Sequence, residues 1–240
     1  WAQFAVAGPR SRQLLQRVLD PRCDLSNAAF PFMACGNVML RNGEPARLFR
    51  ISFSGELAYE IAVPGHRGDA LIRTLHDAGQ DLGVVPYGLE ALNVLRVEKG
   101  HVVGSELNGQ TTAHDLGFGR MLSTQKDCIG SVLGRRTNLI DPARPRLVGI
   151  KTVDRSAKLA GGMHFIPQHA QRRIEHDQGH VTSVCYSPIL EQWIGLGLLT
   201  NGPERHGEKV MVVDPLRGAE TLVEVCSPVF IDPEGARLRG

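Results

Sequence analysis

The chain has 240 residues, of which 42% are apolar and 22% charged, a composition typical of a globular protein with its own core. Its net charge of +2 is too small to indicate nucleic-acid binding, and no apolar run approaches the about 18 residues of a membrane span. The five cysteines are odd in number and form no C-x-x-C pair, so we expect reduced thiols, no metal site and a cytoplasmic location.

The first half of the sequence mixes strand and helix patterns. A short strand ending in the turn Gly8-Pro9 precedes a helix, for which Ser11 is the predicted N-cap. The turn Asn42-Gly43 separates two further strand patterns. We predict the remaining strands and helices of this half at residues 37–40, 47–53, 59–63, 67–78 and 89–99.

The character of the sequence changes near residue 147. From there, short strand patterns alternate with turn signals, at residues 147–150, 180–183, 194–199, 209–213 and 221–225. This pattern is typical of a small antiparallel barrel or sandwich. We therefore predict an α+β domain over residues 1–125, with an irregular loop at residues 104–119, and an all-β domain over residues 126–240.

The stretch from Arg50 to Gly65 places four notable side chains close together. Two runs of alternating polar and apolar residues flank a turn that carries a carboxylate, and the pattern predicts a hairpin. Two interpretations stay open for it. Its side chains either complete an ordinary sheet or line a site: Phe53, Glu56, Tyr59 and Glu60.

A carboxylate continues the apolar stripe of the last predicted helix. Leu89, Leu92 and Leu95 follow the helical period, and Glu98 is the next position on that stripe. A buried carboxylate is costly unless it is paired or hydrogen-bonded. Glu98 therefore forms either a salt bridge to an Arg or Lys or a ligand contact, in which it would accept two N–H donors from an edge such as that of a pterin ring.

Other chemistry-bearing patterns are weak. The spacing of four histidines, which we expect to decorate a loop, matches no metal site: His164, His169, His176 and His180. The sequence contains no G-x-S-x-G motif, no P-loop and no dinucleotide-binding G-x-G-x-x-G before a helix.

Several motifs, in order along the chain, resemble those of the glycine-cleavage T-protein (aminomethyltransferase) family. The motifs that carry this resemblance are VAGPRSRQLLQRVL, ISFSGELAYEI, PYGLEALNVLRVEKG, KDCIG and GHVTSVCYSPILEQWIGLGLL. The resemblance implies an aminomethyltransferase-like folate-binding domain followed by a small antiparallel β-barrel domain. One stretch, HVVGSELNGQTTAHDLGFGRMLS, departs from the Y-G-x-D pattern of aminomethyltransferases. It is more similar to the C-terminal folate-binding part of sarcosine oxidase alpha subunits.

The resemblance implies tetrahydrofolate as cofactor and one-carbon capture as function. Sarcosine would be oxidised at a flavin elsewhere in the complex, and its one-carbon unit would leave as 5,10-methylenetetrahydrofolate. Alternatives are a T-protein-like aminomethyltransferase, a non-catalytic folate-binding module and a purely structural subunit domain. The K-x-G-C-Y-x-G-Q motif of folate-binding tRNA-modification and iron–sulfur assembly proteins is absent from the sequence.

The same resemblance assigns roles to five residues. Glu98 would hydrogen-bond the pterin amino edge, Phe53 and Tyr59 would stack on the ring or form the wall, and Arg120 or Lys126 would contact the folate. Glu56 and Glu60 would line the site or only shape the turn and pair with Lys or Arg.

The motifs begin well inside the family's first domain. The catalytic aspartate and the early part of that domain are therefore expected upstream of this chain, and we expect the chain alone to be inactive. The implied partners are that upstream part of the alpha subunit and the other sarcosine oxidase subunits. Flavins and NAD are expected on other parts of the complex.

Overall fold

A computed structural model describes residues 1–123 and 125–240, which form two compact units. The first unit contains Trp1–Leu95 together with Asp232–Gly240, and the second contains Arg96–Ile231. The sequence-predicted domain boundary between residues 125 and 126 stays a prediction.

An antiparallel sheet of four strands lies in the first unit, in the spatial order β1-β4-β3-β2. These strands are β1 (Ala2–Ala7), β2 (Cys35–Met39), β3 (Pro45–Phe49) and β4 (Ala58–Val63). Asn42 and Gly43 form the predicted turn between β2 and β3. Gly43 has a φ of 83°, which glycine adopts without steric cost, and Asn42 Oδ1 accepts the N–H of Glu44 at 3.1 Å.

Two amphipathic helices, α1 (Ser11–Val18) and α2 (Gly68–Ala78), pack against this sheet. Their buried leucine and valine side chains join those of the strands in one core, which includes Leu14, Leu15, Val18, Leu48, Ile61, Leu71 and Leu75. The prediction of Ser11 as N-cap is wrong. Ser11 is buried as the first helical residue, and its hydroxyl donates to the carbonyl of Leu57 at 2.9 Å instead of capping a backbone N–H.

The predicted strand over residues 47–53 is too long. The chain leaves the sheet after Phe49, and Ser52 Oγ accepts the N–H of Gly55 at 3.0 Å in a turn. Gly55 has a φ of 83°, which fits the turn predicted after this strand. Arg50 is completely buried, and its guanidinium donates to the carbonyl of Phe30 at 2.7 Å. Backbone hydrogen bonds of Arg50 with Met33 and Ala34, together with these side-chain hydrogen bonds, thus take the place of the rest of the expected strand.

The third helix, α3 (Leu89–Glu98), begins in the first unit and ends in the second. Its apolar stripe is not the buried face that the sequence predicts, because Leu89 is 83% exposed. Only the C-terminal end of the helix is buried, at Arg96, Val97 and Glu98. Glu98 is therefore buried as predicted, but because of its position at the helix end and not because it continues a stripe.

A closed antiparallel barrel of six strands forms most of the second unit and confirms the predicted barrel. Its strands are β5 (Pro145–Thr152), β6 (His164–Ile166), β7 (Gly179–Ser187), β8 (Gln192–Thr200), β9 (Lys209–Asp214) and β10 (Ala219–Cys226). Their spatial order is β10-β5-β8-β7-β6-β9. The sequence patterns miss β6, which has only three residues and is too short for a period to be visible.

Gly149 allows a close backbone approach inside this barrel. A Cβ at this position would lie 2.3 Å from the carbonyl oxygen of Ser227 and 2.9 Å from Cζ of Phe230. We expect Gly149→Ala to lower the free energy of unfolding by about 1–3 kcal/mol, because backbone must shift to make room. Gly161→Ala is the control, since the nearest atom there, the carbonyl oxygen of Thr182, lies 3.6 Å away. Equal midpoints of chemical denaturation for the two variants would contradict this explanation.

Candidate functional site

The C-terminal end of α3 places a carboxylate in the interior of the second unit. Glu98 is 3% exposed. Its backbone carbonyl, at the helix end, accepts the N–H groups of Phe230 and Ile231 at 2.9 and 3.1 Å. Gly100 follows with a φ of 74°, and a Cβ there would lie 2.5 Å from the carbonyl oxygen of Pro228. The segment that follows β10 thus fixes the helix end, and with it the start of the Glu98 side chain.

A serine at the end of β7 holds the Glu98 side chain itself. Ser187 is completely buried, and its hydroxyl donates to Oε1 of Glu98 at 2.5 Å. The same hydroxyl oxygen accepts the N–H of Leu190 at 3.1 Å. A hydroxyl that donates to a carboxylate forms a charge-assisted hydrogen bond, which is stronger than one between neutral groups. The carboxylate is therefore held in a defined orientation by the barrel.

A second buried network lies beside this one. Arg96 Nη2 donates to Ser183 Oγ at 2.8 Å, and Ser183 in turn donates to Oε1 of Glu106 at 2.6 Å. Glu106 Oε2 accepts the N–H of Val103 at 2.8 Å and lies 3.6 Å from Nη1 of Arg96. Burial lowers the pKa of the Arg96 guanidinium, and the Glu106 carboxylate opposes that shift. This network anchors the start of the predicted irregular loop.

Strand periodicity explains why β7 serves both networks. Alternate residues of β7 are buried on one face, and on this face Ser183 and Ser187 flank Cys185. Burial raises the pKa of Cys185 to about 12, and the nearby charge of Glu98 adds to this shift. The thiol is therefore neutral at physiological pH and a poor nucleophile.

The two aromatic residues assigned from the resemblance lie in the first unit. Phe53 is 38% exposed. Tyr59 is completely buried in the core, and its hydroxyl accepts from Arg12 Nε at 3.0 Å. Their folate-binding roles stay predictions, and for Tyr59 the role rests on the resemblance alone.

The two basic candidates lie in the second unit with Glu98. Arg120 belongs to a short 3₁₀ turn, Gly119–Met121, and both Arg120 and Lys126 have exposed side chains. Their roles as folate contacts stay predictions.

The two glutamates of the turn region have ordinary partners. Glu56 accepts from Arg237 Nη1 at 2.9 Å, as the pairing interpretation predicts. Glu60 accepts instead from the side-chain amide of Gln3.

Within residues 1–123 and 125–240, no group of three or more His, Cys, Asp or Glu side chains is arranged to hold a metal ion. The four crowded histidines are not all in a loop, because His164 and His180 face each other on β6 and β7.

None of the helices in the described part of the chain has the length and apolar character that crossing a bilayer requires.

Three side chains of the two buried networks have no role predicted from the sequence: Ser183, Ser187 and Glu106. A signal for the two serines was present, because both lie at alternate positions of a strand pattern and a turn follows the second. Glu106 lies in a polar loop without a period, where no pattern could indicate burial.

Comparisons with known proteins agree with the two-part architecture. A family model described as the GCVT N-terminal domain matches residues 1–126, and one described as the glycine cleavage T-protein C-terminal barrel domain matches residues 146–232. The solved structure of glycine cleavage system aminomethyltransferase T from Bartonella henselae has the same fold, with a TM-score of 0.74 and 23% identity. That comparison covers 95% of this chain and 59% of the other.

Curated relatives of two kinds match nearly the whole chain. It is 47% identical over 240 residues to sarcosine oxidase subunit alpha of Rhizobium meliloti (strain 1021), covering 99% of this chain and 24% of that protein. It is 39% identical to the same subunit of Corynebacterium sp. (strain U-96), covering 100% of this chain and 25% of that protein. It is 29% identical to aminomethyltransferase of Halothermothrix orenii, covering 96% and 61%. The chain thus spans about a quarter of the length of the alpha subunits that it matches.

The Arg96–Glu106 network should contribute strongly to stability. We expect Glu106→Ala to lower the free energy of unfolding by about 3 kcal/mol, because it removes the carboxylate beside a buried guanidinium. Glu204→Ala is the control, since Glu204 pairs with Arg146 at the surface, where ion pairs contribute less than about 1 kcal/mol. Chemical denaturation measures both, and similar losses for the two variants would contradict the structural role of Glu106.

Cys185 should resist alkylation although it lies near a charged site. We expect iodoacetamide at pH 8 to modify the exposed Cys35 and Cys128 while Cys185 stays unmodified in the folded protein. Burial both blocks access and suppresses the thiolate. Peptide mass spectrometry over time distinguishes the three residues, and modification of Cys185 as fast as that of Cys35 would show that its environment is open.

Proposed function

The chain belongs to the glycine-cleavage T-protein family, and from this premise we propose that it is the tetrahydrofolate-binding region of a sarcosine oxidase alpha subunit. In this function it captures the one-carbon unit of oxidised sarcosine as 5,10-methylenetetrahydrofolate. The higher identity to alpha subunits, 47% against 29% for an aminomethyltransferase, supports this function over a T-protein-like aminomethyl transfer.

One structural observation carries the proposal: a buried carboxylate held in place at the end of a helix. Glu98 is buried, and its Oε1 accepts a hydrogen bond from the Ser187 hydroxyl. A carboxylate has about four acceptor sites, so a single carboxylate can accept several donors at once. The amino edge of a reduced pterin presents two adjacent N–H donors, which match the two oxygens of one carboxylate.

The residues of this chain contribute binding and orientation to the reaction. Tetrahydrofolate, when bound, would supply the N5 and N10 nitrogens that accept the one-carbon unit. Glu98 would fix the rotation of the pterin about its amino edge, which determines where these nitrogens lie. Holding the acceptor in one orientation raises its effective concentration toward the reactive electrophile. Arg120 or Lys126, which lie in the same unit as Glu98, would attract the negatively charged tail. For Phe53 and Tyr59, contact with the ring is proposed from the resemblance alone.

The remaining parts of the reaction belong to other elements of the proposed enzyme. We propose that an upstream aspartate supplies the acid–base group, and that the flavins and NAD bind elsewhere in a complex with the other subunits. The chain alone would then lack sarcosine oxidase activity, and a cytoplasmic location stays a prediction.

A binding titration tests the role of Glu98. We expect Glu98→Gln to weaken binding of folinic acid, a stable reduced folate, by about 10- to 150-fold, because one acceptor becomes an NH₂ donor at the amino edge. Isothermal titration calorimetry on the whole protein that contains this chain measures the dissociation constant.

Glu90→Gln is the matched control, because Glu90 is exposed on the same helix. It should leave the dissociation constant unchanged. If the unsubstituted protein does not bind folinic acid, the proposed function is wrong. If it binds and Glu98→Gln binds equally well, the assignment of Glu98 is wrong.

A further inference from the structure

Resting on the proposed function, we propose that Ser187 is the positioning residue of Glu98, and that it sets the carboxylate orientation needed to recognise the amino edge of the pterin. Ser187 would not contact the ligand. It acts through Glu98, with which it shares a hydrogen bond of 2.5 Å between two buried side chains.

The hydrogen bonds of Ser187 determine where its proton points. A serine hydroxyl has a single donor hydrogen and can rotate freely unless its surroundings fix it. Here the N–H of Leu190 donates to the hydroxyl oxygen at 3.1 Å. Because this contact occupies a lone pair, the hydroxyl hydrogen is directed to its other neighbour, Oε1 of Glu98. The turn after β7 thus presets the serine as a donor toward the carboxylate.

The serine is fixed to a rigid element. Ser187 is the last residue of β7 and pairs with Gln192 of β8, so its backbone belongs to the closed barrel. The carbonyl of Glu98 is fixed independently by Phe230 and Ile231. The Glu98 side chain is therefore held at both ends, by its backbone and by one carboxylate oxygen. Such a supporting contact defines the rotamer of a binding residue in the absence of ligand.

Ser183, on the same face of β7, makes different hydrogen bonds from Ser187. Ser183 contacts Arg96 and Glu106, and no hydrogen bond in the described ranges joins it to Glu98. Ser183 and Ser187 are both buried, lie four residues apart on one strand and lose the same atom on substitution by Ala. Ser183→Ala is therefore a matched control for the general cost of removing a buried hydroxyl from β7.

The experiment compares two ligands in the whole protein that contains this chain. The first is folinic acid, and the second is an analogue in which the 2-amino group is replaced by methyl. We expect Ser187→Ala to weaken folinic acid binding about tenfold and binding of the methyl analogue by a clearly smaller factor, because the analogue presents only one of the two N–H donors that require the fixed carboxylate. Ser183→Ala should not produce this difference between ligands.

A double substitution tests whether Ser187 acts through Glu98. Once Glu98→Gln has removed the carboxylate, adding Ser187→Ala should weaken folinic acid binding no further. Additive losses would overturn the inference, and so would equal losses for the two ligands. Absence of folinic acid binding by the unsubstituted protein would overturn the proposed function and this inference with it.

A second substitution of Ser187 keeps the inference testable if Ser187→Ala does not fold. Ser187→Cys keeps a side chain of similar shape with a weak donor, so it should show a ligand-dependent loss in the same direction as Ser187→Ala and no larger. Thermal denaturation of each variant confirms folding before titration. If Ser187→Cys folds and binds both ligands as the unsubstituted protein does, Ser187 is not a positioning residue.

Discussion

A carboxylate buried at the end of a helix constrains the second unit. Removing the charge of Glu98 from water is costly, so the surrounding structure must provide donors and hold them in place. The barrel provides Ser187, and the segment after β10 fixes the helix end through Phe230 and Ile231. Two parts of the chain far apart in sequence are thus arranged around one side chain. A purely structural domain could bury a leucine there at lower cost, which is why this arrangement supports a binding role.

Much of the fold could be predicted from the sequence, because strand and helix periods are local properties. The antiparallel barrel and the three main helices of the first half follow from these patterns. The secondary-structure predictions are wrong where tertiary contacts override the local sequence pattern. Arg50 is buried by hydrogen bonds to distant carbonyls, which ends the strand that alternation predicts. The three residues of β6 are too few to show a period.

The sequence predicts the candidate site only in part. The burial of Glu98 is predicted correctly, but for an incorrect reason. The burial of Glu98 was expected from an apolar stripe that begins at Leu89, yet Leu89 is exposed, and the helix end is buried on all sides. The serines that support the two networks could have been found from their alternation on β7. Glu106 could not, because its burial results from a contact with Arg96, which lies ten positions earlier across a helix end and an irregular loop.

The first unit is discontinuous in sequence, since it includes Asp232–Gly240 as well as the first 95 residues. Arg239 and Gly240 accept hydrogen bonds from Arg50 and Asn27, and Arg237 pairs with Glu56. During translation the ribosome must therefore release the entire barrel before these last contacts can form. The first unit therefore depends on hydrogen bonds between residues up to 213 positions apart, and contacts of such long range form slowly because a long stretch of chain must first be brought together.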